Sequence, residues 1–126
     1  MNDEVDYLVE ESTKPYGIKH RCYFFSKEVI EFIKDIRFDR IYFSLFDQLL
    51  RSATSIGANV VESRAGSSVK DWRNFQAIAL KSANETKYWL CLIRDTMDVS
   101  KYKITELIKE ANELSKIIAS IIINSK

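Results

Sequence analysis

From His20 onward, apolar residues recur every three or four positions. Cys22, Phe25, Val29, Phe32, Ile33 and Ile36 alternate with Lys27, Glu28, Glu31, Lys34 and Asp35, the spacing of an amphipathic first helix. A short connection through residues 37–43 follows. The second helix runs to about Arg64 on the line Phe46, Leu49, Ala53, Ile56 and Val60, whose alternating steps of three and four match a bundle seam. Ser44, with Asp47 three residues on, is the expected cap at its start, and Gly66 the expected stop. The small Ala53 and Gly57 mark where this helix should approach another closely.

Ser68 and Asp71 repeat the capping pattern and open a third helix that extends to about Met97. Phe75, Ala79, Ala83, Leu90, Ile93 and Met97 form its main apolar face, and Ile78, Trp89 and Leu92 form a second one. A fourth helix, from near Ser100 to near Ile123, aligns Ile104, Leu107, Ala111, Leu114, Ile118 and Ile121. Its last stretch, residues 117–123, is apolar around most of its circumference, so something must cover all sides of it. The expected fold is all-α, an antiparallel up-and-down four-helix bundle, and the surplus apolar surface predicts contact between subunits.

Composition sharpens this picture in three ways. Across 126 residues there are three Gly and one Pro, too little punctuation for a many-turned β fold, and 46% hydrophobic with 29% charged residues is an ordinary globular balance. One domain is expected over residues 20–126, preceded by an acidic tail over residues 1–19 that lacks apolar periodicity. No apolar run approaches the roughly 18 residues of a membrane span, and the acidic start is unlike a signal peptide, so a cytoplasmic protein with no membrane contact is expected.

The net charge of +1 conceals an asymmetry. Five acids in the tail (Asp3, Glu4, Asp6, Glu10 and Glu11) oppose Lys14 and Lys19, whereas the rest of the chain carries 17 basic and 13 acidic residues. The body is mildly basic. On the third helix, Lys70, Arg73, Lys81, Lys87 and Arg94 project within an arc of about 140°. That array reads either as a solvated face or, repeated around an oligomer, as a band that attracts a polyanion.

Candidate chemistry is sparse. His20 is the sole histidine, with no Cys, Asp or Glu at ligand spacing around it, and neither a Gly-rich phosphate loop nor a nucleophile elbow occurs. The expectation is therefore a non-enzyme with no cofactor and no metal. Cys22 and Cys91 lie far apart among apolar residues and read as reduced packing groups. The other notable pattern is polar: Gln48, Ser52, Ser55, Asn59 and Glu62 form a stripe on the second helix. Its side chains are mostly short and uncharged, so it reads as a solvated face or as a packed polar seam between helices or subunits.

The run QLLRSATSIGANVVE over residues 48–62, then Ser68, Lys70 and Asp71, then IALKSA over residues 78–83 with Glu85, Thr86, Lys87, Tyr88, Trp89 and Leu90, closely resembles the four-helix bundle family of ribosomal-RNA intervening-sequence proteins. The resemblance covers about residues 20–124. These are bacterial proteins, similar in fold to the accessory variability protein of diversity-generating retroelements, a pentameric ring that binds a reverse transcriptase and nucleic acid. By resemblance, the chain is expected to form a homopentameric ring that contacts RNA, DNA or a nucleic-acid enzyme such as a reverse transcriptase. The alternative is a structural protein–protein scaffold with no nucleic-acid role.

Overall fold

The computed structural model describes residues 17–125. These fold into α1 (Ile18–Lys34), a 3-10 turn (Arg40–Tyr42), α2 (Phe43–Arg64), α3 (Val69–Thr96) and α4 (Lys101–Asn124), with no strand among the described residues. Of the acidic tail expected over residues 1–19, residues 1–16 lie outside the described residues. Ile18 and Lys19 belong to the first turn of α1, two residues before the apolar period begins, and Arg21 N–H donates to the Gly17 carbonyl at 3.1 Å.

Two helix starts are fixed by serine caps. Ser68 Oγ accepts from the Asp71 N–H at 3.1 Å, and Ser100 Oγ accepts from the Lys103 N–H at 3.2 Å. Each such cap contributes about 1 kcal/mol by satisfying a donor that the helix leaves orphaned. The expected Ser44 cap on α2 does not form. The 3-10 turn runs directly into α2, whose cap residue is Tyr42 with no side-chain bond, and Asp47 instead pairs with Arg51 at 3.0 Å.

Each helix packs against its neighbour in sequence, and α1 closes the square against α4. The core is the set of apolar lines read from the chain: Cys22, Phe25, Val29 and Phe32; Phe46, Leu49, Ala53, Ile56 and Val60; Ala79, Ala83, Leu90 and Ile93; and Ile104, Leu107, Ala111, Leu114 and Ile118. Fully burying a Leu or Ile contributes roughly 1.5–3 kcal/mol, so these positions dominate the stabilisation. Ile33, Ile36, Phe75, Met97 and Ile121 are half-buried at the margins. Gln76, one residue beyond Phe75, takes the deeper position, where its Nε2 donates to Ser63 Oγ and its Oε1 is buried without a partner among the described residues.

Two contacts set how the helices meet. A Cβ on Gly57 would lie 3.0 Å from Cys22 Cβ, so α1 and α2 approach closely where the chain supplies no side chain. Across the α1–α4 seam, the Arg21 guanidinium grips Glu110 in a fork, Nη2 to Oε1 at 2.6 Å and Nε to Oε2 at 3.2 Å. Both side chains are half-buried, which favours this charge-assisted pair over a fully solvated one.

Candidate interaction surfaces

The polar stripe of α2 divides into a packed middle and solvated ends. Ser52 is buried, Ser55 and Asn59 are half-buried, and Gln48 and Glu62 are exposed. The middle faces hydroxyl-bearing residues of α3. Ser52 Oγ lies 2.9 Å from Thr86 Oγ1, and Ser55 Oγ lies 2.9 Å from Ser82 Oγ. One turn beyond, Asn59 Nδ2 donates to Ser55 Oγ at 2.9 Å and to the Ser55 carbonyl at 2.8 Å. Nearer the α2–α3 turn, Gln76 Nε2 donates to Ser63 Oγ at 2.9 Å, while Ser63 donates to the Val60 carbonyl at 2.6 Å. Moving down α2 is moving up α3, which is the register of antiparallel helices.

Short side chains let the two backbones come close, and paired hydroxyls remove the penalty of burying them. Thr86 donates to the Ser82 carbonyl at 2.7 Å and is fully buried. Sequence reading missed Ser82, Thr86, Ser63 and Gln76. The available signal was Ser82 and Thr86 at i, i+4, one helical turn apart and opposite the stripe.

The five cations of α3 do not form one free band. Lys70, Arg73 and Lys81 are exposed. Lys87 is half-buried and reaches α4, with Nζ 3.3 Å from Asn112 Oδ1 and 3.3 Å from Ser115 Oγ. Arg94 forks onto Asp95 at 2.8 and 3.2 Å, and its carbonyl accepts from Lys101 Nζ. The hydrogen bond from Arg94 holds the Asp95 carboxyl below the usual carboxylate range. Arg73 Nη2 donates to the Ser125 carbonyl at 3.2 Å, which ties it to the end of α4.

The second apolar face of α3 divides: Ile78 and Leu92 stand outside the core, while Trp89 packs against its edge. Ile78, Tyr88 and Leu92 are 44%, 61% and 36% exposed, whereas Trp89 is half-buried and donates its Nε1–H to Glu85 at 2.9 Å. At the end of α4, Ile118 is buried, Ile117, Ile121 and Ile122 are half-buried, and Ile123 is exposed. Among the described residues, no three His, Cys, Asp or Glu side chains group closely enough to hold a metal. Cys22 and Cys91 are free thiols, and burial pushes the Cys22 thiol up to about 12. Among the described residues, no helix is long and apolar enough to cross a membrane.

The profile of the 23S rRNA-intervening sequence protein family matches residues 16–120. Among solved structures, the chain is similar to a protein with unknown function from the S23 ribosomal protein family from Bacteroides thetaiotaomicron VPI-5482. The two share 34% identity over 84% of this chain and 98% of that one, with a TM-score of 0.78. No curated protein matches the chain.

Proposed function

The chain belongs to the family of 23S rRNA-intervening sequence proteins, and from that premise we propose that it is a non-catalytic, self-associating binding module of the bacterial cytoplasm that contacts nucleic acid or an enzyme acting on it. One observation carries the self-association: Ile78, Tyr88 and Leu92 stand exposed along α3, outside a core that is already complete. Large apolar side chains exposed on one helical arc, here interleaved with Lys81 and Glu85, are what an interface covers. The pentameric ring is implied by the family resemblance, as is a reverse transcriptase as partner.

The non-catalytic reading rests on what the seam hydroxyls do. Those of Ser52, Ser55, Ser63, Ser82 and Thr86 bond to one another, to side-chain amides or to backbone carbonyls, so the seam is a packing device. Attraction to a polyanion rests on Lys70, Arg73 and Lys81, the exposed members of the α3 array. A second reading, a protein scaffold without nucleic acid, is favoured by the engagement of Lys87 with α4 and of Arg94 with Asp95.

A titration with labelled RNA at several salt concentrations separates the two. The nucleic-acid reading expects affinity to fall steeply with salt, and the slope of log K against log salt to drop when Lys70, Arg73 and Lys81 are changed to Ala. No binding at roughly 50 mM salt leaves the protein scaffold.

A further inference from the structure

Residues 37–43, the connection from α1 together with the first residue of α2, combine exposed aromatic rings with uncommitted arginines. The segment reads Arg-Phe-Asp-Arg-Ile-Tyr-Phe. Ile41, Tyr42 and Phe43 are 81%, 44% and 64% exposed, three consecutive large side chains that contribute nothing to the core. The backbone beneath them is well held. Phe38 stacks on Phe46 with ring centroids 4.1 Å apart and planes 21° apart, and Tyr42 N–H donates to the Asp39 carbonyl at 2.9 Å as the 3-10 turn enters α2. The rings are thus displayed by a fixed support.

The charges here are arranged differently from those on α3. Other cations at this end of the bundle have partners: Lys103 lies 3.8 Å from Asp35, Arg51 lies 3.0 Å from Asp47, and Arg94 lies 2.8 Å from Asp95. Arg37 and Arg40 are exposed and have no hydrogen-bond or ion-pair partner among the described residues. Asp39 is the one carboxylate within the segment.

We propose that this connection is a contact site for single-stranded nucleic acid, in which Tyr42 and Phe43 stack on bases while Arg37 and Arg40 meet the flanking phosphates. An exposed ring offers a π-face to any unpaired base, whereas the bases of a duplex are already stacked on one another. Guanidinium groups suit phosphate because their donors form a planar fork. The site rests on the nucleic-acid reading above and adds a preference that the α3 cations cannot supply, since those act on any phosphate backbone, single or double.

The test is fluorescence anisotropy with a labelled oligouridine of about 20 nucleotides and with a duplex RNA of matching length. Wild type should bind the single strand more tightly than the duplex. Tyr42→Ala and Phe43→Ala should each weaken single-strand binding by about fivefold or more, with duplex binding unchanged. Arg37→Gln with Arg40→Gln should lower the single-strand salt slope by about 1.4, since each phosphate contact on a single strand contributes about 0.7. Phe43→Trp should retain affinity, and its fluorescence should be quenched by the stacked base. Thermal melts and light scattering check that each variant is folded and assembled as wild type is.

Equal affinity for both RNAs, unchanged single-strand binding by the ring variants, or losses that track only a change in mass would each overturn the proposal while leaving nucleic-acid binding in place. A wild type that binds neither RNA overturns both it and the nucleic-acid reading.

Discussion

Gly57 faces Cys22 across the α1–α2 crossing, so close that an added Cβ would stand 3.0 Å from the Cys22 Cβ. The neighbour is the root of a buried side chain on a helix backbone and cannot simply swing aside. Gly57→Ala is therefore expected to destabilise the fold even though Ala is the better helix former by about 1 kcal/mol. Overpacking of this kind typically costs 1–3 kcal/mol, and Gly57→Val should cost more than Gly57→Ala. Chemical denaturation of both variants reads the order directly. A more stable Gly57→Ala protein would contradict the close crossing.

The α2–α3 seam should behave as a coupled unit. Thr86→Val keeps the shape of a fully buried residue but removes the hydroxyl that meets Ser52 at 2.9 Å and the Ser82 carbonyl at 2.7 Å. A loss of about 1–2 kcal/mol is expected, because the Ser82 side of the seam loses a donor in a dry place. In a double-mutant cycle with Ser52→Ala, the double variant should lose less than the two single losses added together. Strict additivity would mean that the two hydroxyls do not interact.

The two cysteines should separate cleanly in a labelling experiment. Cys22 is fully buried and its thiol is pushed up to about 12, whereas Cys91 is partly exposed. Native protein treated with iodoacetamide near neutral pH should gain one adduct, on Cys91, and denatured protein two. The linkage has a definite sign. The folded value lies above the ordinary thiol value of 9.0, so the native state holds its proton longer. The contribution of Cys22 to stability is complete below that value and is lost as pH rises from 9.0 towards about 12. Cys22→Ala should flatten the alkaline fall in stability across that window.

Breaking the α1–α4 fork should loosen one seam and leave the others. Arg21→Ala leaves Glu110 half-buried without its bidentate partner, and Glu110→Ala leaves Arg21 likewise. Each change is expected to cost on the order of 1 kcal/mol, since the pair is only partly desolvated. Hydrogen exchange should show faster opening along α1 than along α2 or α3. Equal exchange along all helices would count against a local clasp.

The fold was legible because its apolar lines repeat at helical spacing, and a run such as Phe46, Leu49, Ala53, Ile56 and Val60 admits one buried face. Caps were legible where a serine stands at the end of an extended turn, as at Ser68, and not where the chain enters the helix already wound, as at Tyr42. The polar stripe could be seen on α2 but its partners could not, because pairing Ser52 with Thr86 depends on the register of two helices, which no local pattern encodes. The same holds for the α3 cations. Periodicity places Lys87 and Lys81 on one arc, yet only the position of α4 decides that Lys87 turns inward to Asn112. The exposed run at residues 41–43 gives no periodic signal, since its significance lies in what it fails to pack against.

Self-association is the central claim, and the mass of the assembled particle tests it most directly. Light scattering at micromolar concentration should give a multiple of the 14.7 kDa chain, five by resemblance to the family. Leu92→Glu, which places a charge on the exposed α3 strip and touches no core position, should lower that mass while leaving the helical signal intact. A wild-type particle of 14.7 kDa would contradict the account.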